Sequence, residues 1–173
     1  LDVNVQPAVG AEYTLSTCQL DFCLPAKFKL TYVDSDGSEK TPVVLHRAIL
    51  GSLDRFMAYI IEETKGKFPT WLAPVQVKVL PVSEKTLDYA RDVAAQLDDA
   101  GIRVEVDESN EKIGYKIRQA RQLDRAPYML ILGAKEAEVG NISVRNRAGD
   151  TVEMSVEEFK NKVLNEIATR AYD

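Results

Sequence analysis

The sequence predicts an α/β protein in two parts: an α+β segment built on antiparallel strands, then a small domain with a mixed sheet and three helices. In the first part, short alternating strands precede one amphipathic helix. After Val75, strands and helices follow in the order β-α-β-α-β-β-α, which is typical of a small α/β sheet. Between the parts, Pro69–Pro74 encloses the only tryptophan between two prolines, as in a stiff linker. We predict domains of residues 1–72 and 73–173.

Composition limits the classes of function. The chain has 173 residues, of which 45% are hydrophobic, enough to build a core. Its net charge is −5, so RNA binding would need a local basic patch. No apolar run approaches the roughly 20 residues of a membrane helix, and the N-terminus lacks the basic and apolar regions of a signal peptide. We expect a cytoplasmic protein with no membrane partner.

The two cysteines do not form a metal site by themselves. Cys18 and Cys23 lie five residues apart with no second pair, whereas a zinc site needs three or four ligands. Free thiols in a reduced compartment are the expected state.

The first two strands are predicted at Leu1–Val5, which alternates, and at Tyr13–Phe22, which follows a turn at Gly10. The second strand is unusually polar for a buried strand. Four of its residues carry hydroxyl or amide groups: Thr14, Ser16, Thr17 and Gln19. The pattern fits either a solvated edge strand or the wall of a pocket.

A hairpin follows in Leu24–Lys40. Alternating apolar residues lead into the turn Asp34–Gly37. The two aspartates resemble the start of a calcium loop, but the remaining ligand positions are absent, so a tight turn is predicted.

The next stretch, Pro42–Phe56, reads PVVLHRAILGSLDRF. Val43–Arg47 predicts a short buried strand, and Gly51-Ser52 a turn into a helix that extends to about Glu63. Four apolar residues at helical spacing are expected to face inward: Phe56, Met57, Ile60 and Ile61. The same turn gathers four polar side chains near a helix N-terminus, which is favourable for an anion or a metal: His46, Arg47, Ser52 and Arg55.

The second part is predicted from its periodicity and capping residues. A strand at Val75–Val79 precedes a helix that is capped near Ser83 and closed by Gly101. The remaining predicted elements are a strand at Ile102–Val106, a helix opening at Asn110, a central strand at Tyr128–Leu132, an edge strand from Ile142, a turn at Ala148–Asp150 and a final helix after a Ser155/Glu158 capping box.

The stretch PVVLHRAILGSLDRF resembles motif 3 of the class II aminoacyl-tRNA synthetases, and its wording is closest to the threonine-specific members. Further segments resemble the same enzymes in the same order: QLDFCLPAKFKLTYVDSDG, KFPTWLAPVQV, GIRVEV, NEKIGYKIRQA and PYMLILG. Motifs 1 and 2 of the family have no counterpart in the chain. The resemblance therefore implies the C-terminal part of a synthetase, namely the end of a catalytic domain and an anticodon-binding domain. The alternative is a free-standing RNA-binding or regulatory paralogue.

The resemblance implies roles for residues of the first part. Arg55 matches the motif 3 arginine that meets the triphosphate and adenine of ATP, which is bound with Mg²⁺; a guanidinium suits both contacts. Thr17, Gln19 and Ser52 match positions that contact ATP or the aminoacyl group, although Ser52 could equally be a helix N-cap. The run Thr14–Thr17 departs from the commoner Gln-Cys-Gly-Thr wording, so only Thr17 and Gln19 are carried over.

His46 is the chain's only histidine. A lone histidine on an apolar strand is usually a core residue, but in the resembling enzymes it is a zinc ligand together with an upstream cysteine and histidine. Such a zinc would bind the amino and hydroxyl groups of threonine and reject valine. Because the upstream ligands are missing, we expect zinc only in the full-length enzyme and not in this chain.

The second part carries its basic residues in clusters. Lys112 and Lys116 have the spacing of one helix face, and Arg145 and Arg147 alternate along the predicted edge strand. Each could simply be solvated. The resemblance implies that six residues meet the anticodon loop: Asn110, Lys112, Lys116, Arg118, Glu136 and Arg145. The implied partners are threonine tRNA, ATP, threonine and, in the full-length enzyme, a second copy; this chain alone is expected to be catalytically inactive.

Overall fold

The computed structural model of the protein describes residues 1–8 and 10–172. It contains both helices and strands, in agreement with the predicted α/β class. The chain divides into two compact units, Leu1–Lys65 and Gly66–Asp173. No helix among the described residues is long and apolar enough to cross a bilayer.

The first unit is built on a three-stranded antiparallel sheet in the order β1-β2-β5, with a separate two-stranded hairpin of β3 and β4. Its elements are β1 (Asp2–Val5), β2 (Tyr13–Asp21), α1 (Cys23–Lys27), β3 (Tyr32–Val33), β4 (Glu39–Lys40), β5 (Val44–Ala48) and α2 (Leu53–Thr64).

The first unit has little core. Pro25 is the only buried residue in its described part. The strand predicted as buried is β5, yet Leu45 is 60% exposed. Met57 and Ile61, expected to face inward from α2, are also exposed, at 51% and 48%. Helical spacing identifies the apolar side of a helix correctly, but burial requires a second layer, and nothing in the described part of this unit packs over these side chains.

The second unit is a five-stranded mixed sheet in the order β10-β9-β8-β6-β7. Its elements are β6 (Val77–Pro81), α3 (Leu87–Asp98), β7 (Val104–Val106), α4 (Ile113–Gln119), β8 (Tyr128–Leu132), α5 (Ala134–Val139), β9 (Asn141–Asn146), β10 (Thr151–Ser155) and α6 (Val156–Thr169). A 3₁₀ turn at Glu84–Thr86 precedes α3, and a π-helical turn at Ala120–Asp124 extends α4. Strands β6, β7 and β8 are parallel, whereas β9 and β10 are antiparallel.

Helices cover the two faces of this sheet unequally. On one face α3 and α6 enclose the main core, in which the Tyr128 and Phe159 rings meet edge to face with centroids 5.4 Å apart. On the other face a smaller cluster joins Leu80 and Met129 to Ala120. The predicted central strand is confirmed, since β8 is the third of the five strands.

Among its described residues, the second unit has four α-helices and not the predicted three, because Ala134–Val139 forms the short helix α5, and two other predicted elements were misplaced. The strand from Ile142 is not an edge, because β10 pairs with it from Thr151 to Ser155. This added strand reads TVEMS, too polar to stand out as a strand beside the capping box that follows it. The helix predicted to open at Asn110 begins at Ile113, with Lys112 as its N-cap residue.

The predicted linker packs onto the second unit. Arg103 donates from Nε to the carbonyl oxygen of Ala73 (3.0 Å) and from Nη2 to that of Trp71 (2.9 Å). The buried Gln76 amide donates to the carbonyl of Thr70 at 2.8 Å. These bonds explain why the second compact unit begins at Gly66, whereas the linker pattern suggested a boundary between residues 72 and 73.

Candidate functional site

In the first unit, the register of β2 against β5 brings three of the predicted residues to one face. Gln19 lies directly opposite His46, and Thr17 lies opposite Ala48. Directly opposed residues of an antiparallel pair point to the same face, so Thr17, Gln19 and His46 share a surface. The Thr17 hydroxyl is buried without a hydrogen-bond partner among the described residues, while Gln19 and His46 are exposed. An amide, an imidazole and an unused hydroxyl therefore converge on one polar strip.

Gly51 sets the turn between β5 and α2. Its φ is +61°, and a Cβ at this position would lie 2.7 Å from the carbonyl oxygen of Leu15. Leu15 sits where the pairing of β1 with β2 shifts register. Only glycine fits such a close approach of two backbone segments, and the approach brings the start of α2 beside β2.

Two predicted residues lie at the start of α2. The Ser52 hydroxyl accepts a hydrogen bond from the Arg55 backbone N–H at 3.3 Å, so Ser52 is the helix N-cap. The Arg55 guanidinium lies over the ring of Tyr13, 5.7 Å from its centroid. This cation–π contact orients the side chain while leaving its N–H donors free of hydrogen bonds within the described chain. An exposed, oriented guanidinium at a helix N-terminus favours an anionic ligand.

The residues around His46 do not fit a zinc site by themselves. Cys18 lies opposite Arg47, one position away from the Gln19–His46 pair, and therefore on the other face of the sheet. Across residues 1–8 and 10–172, no group of three or more His, Cys, Asp or Glu side chains is arranged to hold a metal. A single imidazole supplies one of the three or four ligands that zinc requires.

The aspartates of the β3–β4 turn are engaged by a lysine. Lys40 pairs with Asp34 and with Asp36. The hydrogen bond from Lys40 holds the pKa of Asp34 below its ordinary value, and hydrogen bonds from Ser38 lower the pKa of Asp36. The Lys40 ammonium group thus occupies the position between the two carboxylates that a bound cation would take. This arrangement agrees with the predicted tight turn.

The second unit has a cleft at the carboxyl ends of β6 and β7. Helix α3 leaves β6 toward one face of the sheet and α4 leaves β7 toward the other, which opens a crevice of the kind that binds ligands in α/β folds. The cavity has a volume of about 130 Å³, and its polar lining residues include Ser83, Glu84, Glu108, Ser109, Asn110 and Lys116. The structure thus brings Asn110 and Lys116 together at one crevice.

Lys116 lies in the wall of this cleft and is only 4% exposed. Its Nζ donates to the carbonyl oxygens of Asp107 (2.9 Å) and Pro81 (3.3 Å), and it lies 3.9 Å from Asp107 Oδ1. Lys112 is exposed and precedes the helix. The predicted basic face shared by the two lysines is therefore wrong, because Lys112 and Arg118 are exposed whereas Lys116 is buried.

Glu136 lies at the start of α5, and Arg145 lies on β9 opposite Met129 of β8. One Glu136 oxygen, Oε2, accepts the Gly133 N–H (2.9 Å), and the other, Oε1, accepts the Ser143 hydroxyl (3.3 Å). Ser143 and Arg145 are two residues apart on β9 and share a face. Arg145 Nε is buried without a hydrogen-bond partner in the described part of the chain. A fixed carboxylate and an unpaired guanidinium can accept from and donate to the edge of a nucleic acid base.

Gly133 lies between Glu136 and the cleft. A Cβ on Gly133 would lie 2.9 Å from Glu136 Oε2 and 3.7 Å from a Val82 methyl, and Val82 lines the cleft. Glu136 and the cleft therefore occupy the same carboxyl edge of the parallel strands. Arg147 was predicted to alternate with Arg145 along the same strand. Its guanidinium is engaged within the protein, because it donates to the carbonyl oxygens of Arg125 and Phe68.

Three supporting residues were not found from the sequence. Ser143 is signalled only by its position two residues before Arg145. Asp107 and Ser109 form a local turn in which Asp107 Oδ1 accepts the N–H of Ser109 (3.0 Å) and its hydroxyl (2.5 Å). An Asp-x-Ser pattern of this kind is common in loops, so it carries little signal on its own.

Comparison with known families matches each part of the chain separately. The family described as "tRNA synthetase class II core domain (G, H, P, S and T)" matches residues 2–64. The family described as "Anticodon binding domain" matches residues 76–166, more than half of the chain.

Curated relatives match nearly the whole chain. A threonine–tRNA ligase of Halalkalibacterium halodurans is 54% identical over 168 residues, which are 96% of this chain and 26% of that protein. One from Caldanaerobacter subterraneus subsp. tengcongensis is 50% identical over 99% of this chain and 27% of the relative. Threonine–tRNA ligase 1 of Bacillus subtilis is 52% identical over 96% of this chain and 26% of its own length. The chain thus spans about a quarter of the length of these relatives.

A solved structure agrees in fold. The RNA binding domain of threonyl-tRNA synthetase from Cryptosporidium parvum Iowa II superposes with a TM-score of 0.82 at 37% identity, over 95% of this chain and 42% of that one.

Proposed function

We propose that this chain, which belongs to the anticodon binding domain family, is part of a class II aminoacyl-tRNA synthetase, namely a threonine–tRNA ligase, in which ATP activates threonine before its transfer to threonine tRNA. The observation that carries the proposal is that about half of all residues are identical to threonine–tRNA ligases across both units, in the same order. In this proposal, the first unit supplies part of the ATP and aminoacyl site, and the second unit recognises the anticodon.

In the first unit, Arg55 is the proposed catalytic contact. A guanidinium can fork onto phosphate oxygens and stack on adenine. The support is its orientation over Tyr13 beside the N-terminus of α2. Thr17 and Gln19 would meet ATP or the aminoacyl group from the same strip, and Ser52 would fix the helix N-terminus next to them. Mg²⁺ would accompany ATP and neutralise phosphate charge.

His46 is the proposed contribution of this chain to a zinc site. Its exposed imidazole on the same strip as Gln19 supports that role, but the donors described here do not complete a coordination shell. On the basis of the family resemblance, we also propose that the full-length enzyme is a homodimer and acts in the cytoplasm.

In the second unit, Glu136, Arg145 and Asn110 are the proposed base readers. Unstacked anticodon bases are read through their edges, which requires acceptors and donors in fixed positions. Glu136 is held by two hydrogen bonds, and Arg145 carries an unpaired buried N–H. Exposed Lys112 and Arg118 would meet phosphates. Residues 75–173 contain 15 Lys and Arg against 18 Asp and Glu, a net charge of −3, so non-specific attraction should be weak.

The test is titration of the chain with threonine tRNA and with the same tRNA carrying a different anticodon, at two salt concentrations. The unmodified chain should prefer threonine tRNA. Arg145→Ala should remove about 1–3 kcal/mol of that preference, by analogy with bidentate base contacts. Lys112→Ala is the matched control, since loss of a phosphate contact weakens both complexes alike and lowers the salt dependence. Equal affinity for both tRNAs in the unmodified chain would refute anticodon reading by this unit.

A further inference from the structure

Lys116 is a buried lysine that joins the ends of two parallel strands. Its Nζ donates to the carbonyl oxygen of Pro81, where β6 ends, and to that of Asp107, immediately after β7. With Asp107 Oδ1 at 3.9 Å, three oxygens surround an ammonium that has three N–H donors. At 4% exposure, little of the side chain is left to contact a phosphate.

The same aspartate organises the cleft wall. Asp107 donates its backbone N–H to the Val79 carbonyl (2.9 Å), and its Oδ1 accepts both the N–H and the hydroxyl of Ser109. Asn110, the next residue, lines the cleft and is exposed. Hydrogen bonds therefore lead from the Lys116 ammonium through Asp107 to Ser109, which directly precedes the residue proposed to meet a base.

We propose that Lys116 is a positioning residue: it fixes the segment Asp107–Asn110 so that the Asn110 amide is presented in the cleft to an unstacked base of the anticodon loop. This inference rests on the proposed function of the second unit. The ammonium donates to two strand-end carbonyls, of which that of Pro81 is in a buried contact and that of Asp107 in a part-buried one. Its charge also faces the Asp107 carboxylate that anchors Ser109.

The first experiment needs no RNA. Amide hydrogen exchange is measured on the chain and on Lys116→Met, which keeps an unbranched side chain one atom shorter and removes its donors. Exchange at Asp107 and Ser109, whose amides donate to Val79 O and Asp107 Oδ1, should accelerate by roughly tenfold, the effect of losing one hydrogen bond to a charged group, while amides of β8 keep their protection. Lys112→Met, an exposed neighbour before the same helix, is the control and should change neither region.

Two results of that experiment would overturn the positioning role. One is unchanged exchange at Asp107 and Ser109 in Lys116→Met. The other is an equal rise throughout the unit, which would show a general loss of stability. If Lys116→Met does not unfold cooperatively, Lys116→Gln replaces it. The Gln amide retains N–H donors, so the acceleration at Asp107 and Ser109 should be smaller but in the same place.

The second experiment separates positioning from direct contact. In titrations with threonine tRNA and its anticodon variant, Lys116→Met should reduce the preference several-fold and leave the slope of log K against log salt unchanged. A direct phosphate contact would instead lower that slope by about 0.7, as for a single strand. An unchanged preference, or a lower slope, contradicts the inference. If the unmodified chain itself shows no preference, the proposed function fails, and the exchange experiment still decides whether Lys116 positions the segment.

Discussion

Gln19 on β2 and His46 on β5 face each other directly across the antiparallel sheet. Neither side chain is buried, and both lie on the face that carries the unpartnered hydroxyl of Thr17. Strand register, which fixes every side chain to one face or the other, therefore creates the polar strip. A shift of one residue would set His46 opposite Cys18 or Leu20 and separate it from the strip.

The donor set predicts that the chain does not hold zinc. After incubation with excess zinc and removal of free metal, bound zinc should stay below roughly a tenth of an equivalent, because one imidazole cannot complete a tetrahedral shell. Elemental analysis by mass spectrometry measures this. His46→Ala is the matched control and should give the same value; one equivalent of zinc that disappears in His46→Ala would show that the chain completes a site.

The chain is also expected to be inactive in amino acid activation. Threonine-dependent exchange of pyrophosphate into ATP requires a complete adenylate site, to which this chain would contribute Arg55 and the polar strip. We expect no exchange above a threonine-free blank when purified chain is assayed with ATP and Mg²⁺. Exchange that depends on threonine and is abolished by Arg55→Ala would contradict this expectation.

The two units should unfold separately. Apart from Pro25 and Pro69, the buried apolar side chains of the described residues lie between Ala73 and Val163, so hydrophobic burial stabilises the second unit far more than the first. In urea, far-ultraviolet circular dichroism should show an early transition that does not change the fluorescence of Trp71, the only tryptophan, which lies in the second unit. A single transition that coincides by both probes would refute separate unfolding.

Matched substitutions assign the two transitions. Leu97 is fully buried, and Leu97→Ala should cost about 2–5 kcal/mol and lower only the later midpoint. Leu45 is 60% exposed. Leu45→Ala should therefore change the unfolding free energy of either unit by no more than about 0.5 kcal/mol.

The sequence was sufficient where local pattern decides the structure. The continuous apolar run Tyr128–Leu132 predicts a strand buried on both faces, and β8 is central. The strand β10 was missed because an edge strand has one solvated side and needs no apolar run. For α2, the periodicity of apolar residues identified the apolar side of the helix. Whether other residues pack over that side depends on distant parts of the chain, so the local sequence of α2 does not predict it.

Lys116 shows why the site was only partly predictable. Helical spacing alone places Lys116 beside Lys112, but the helix begins one residue after Lys112. The acceptors that hold Lys116 are backbone carbonyls, of which one belongs to a residue 35 positions earlier. Carbonyls are present at every residue, so no side-chain pattern marks them. Glu136 and Arg145 were proposed through family resemblance and stay predictions as base contacts, whereas Ser143, which donates to Glu136, had no such signal.

The capping box of α6 makes stability depend on pH. Ser155 Oγ accepts the Glu158 N–H (3.2 Å), and Glu158 Oε2 accepts the Ser155 N–H (3.0 Å) and hydroxyl (2.9 Å). The backbone hydrogen bond from Ser155, followed by its hydroxyl, holds the pKa of Glu158 below its ordinary value of 4.5. A carboxyl group with a lowered pKa stabilises the fold above that ordinary value, and the contribution is lost as pH falls through the lower, folded pKa.

Two variants test this. Ser155→Ala should lower the stability of the second unit by about 1 kcal/mol at pH 7, the usual cost of losing an N-cap side chain, while Ser155→Thr, which retains the hydroxyl, should cost less. Glu158→Gln keeps an acceptor but cannot titrate, so the stability difference from the unmodified chain should shrink between pH 5 and pH 3. Urea midpoints of the Trp71 transition at these pH values are the measurement. A difference that stays constant over that range would show that the Glu158 charge contributes nothing to α6.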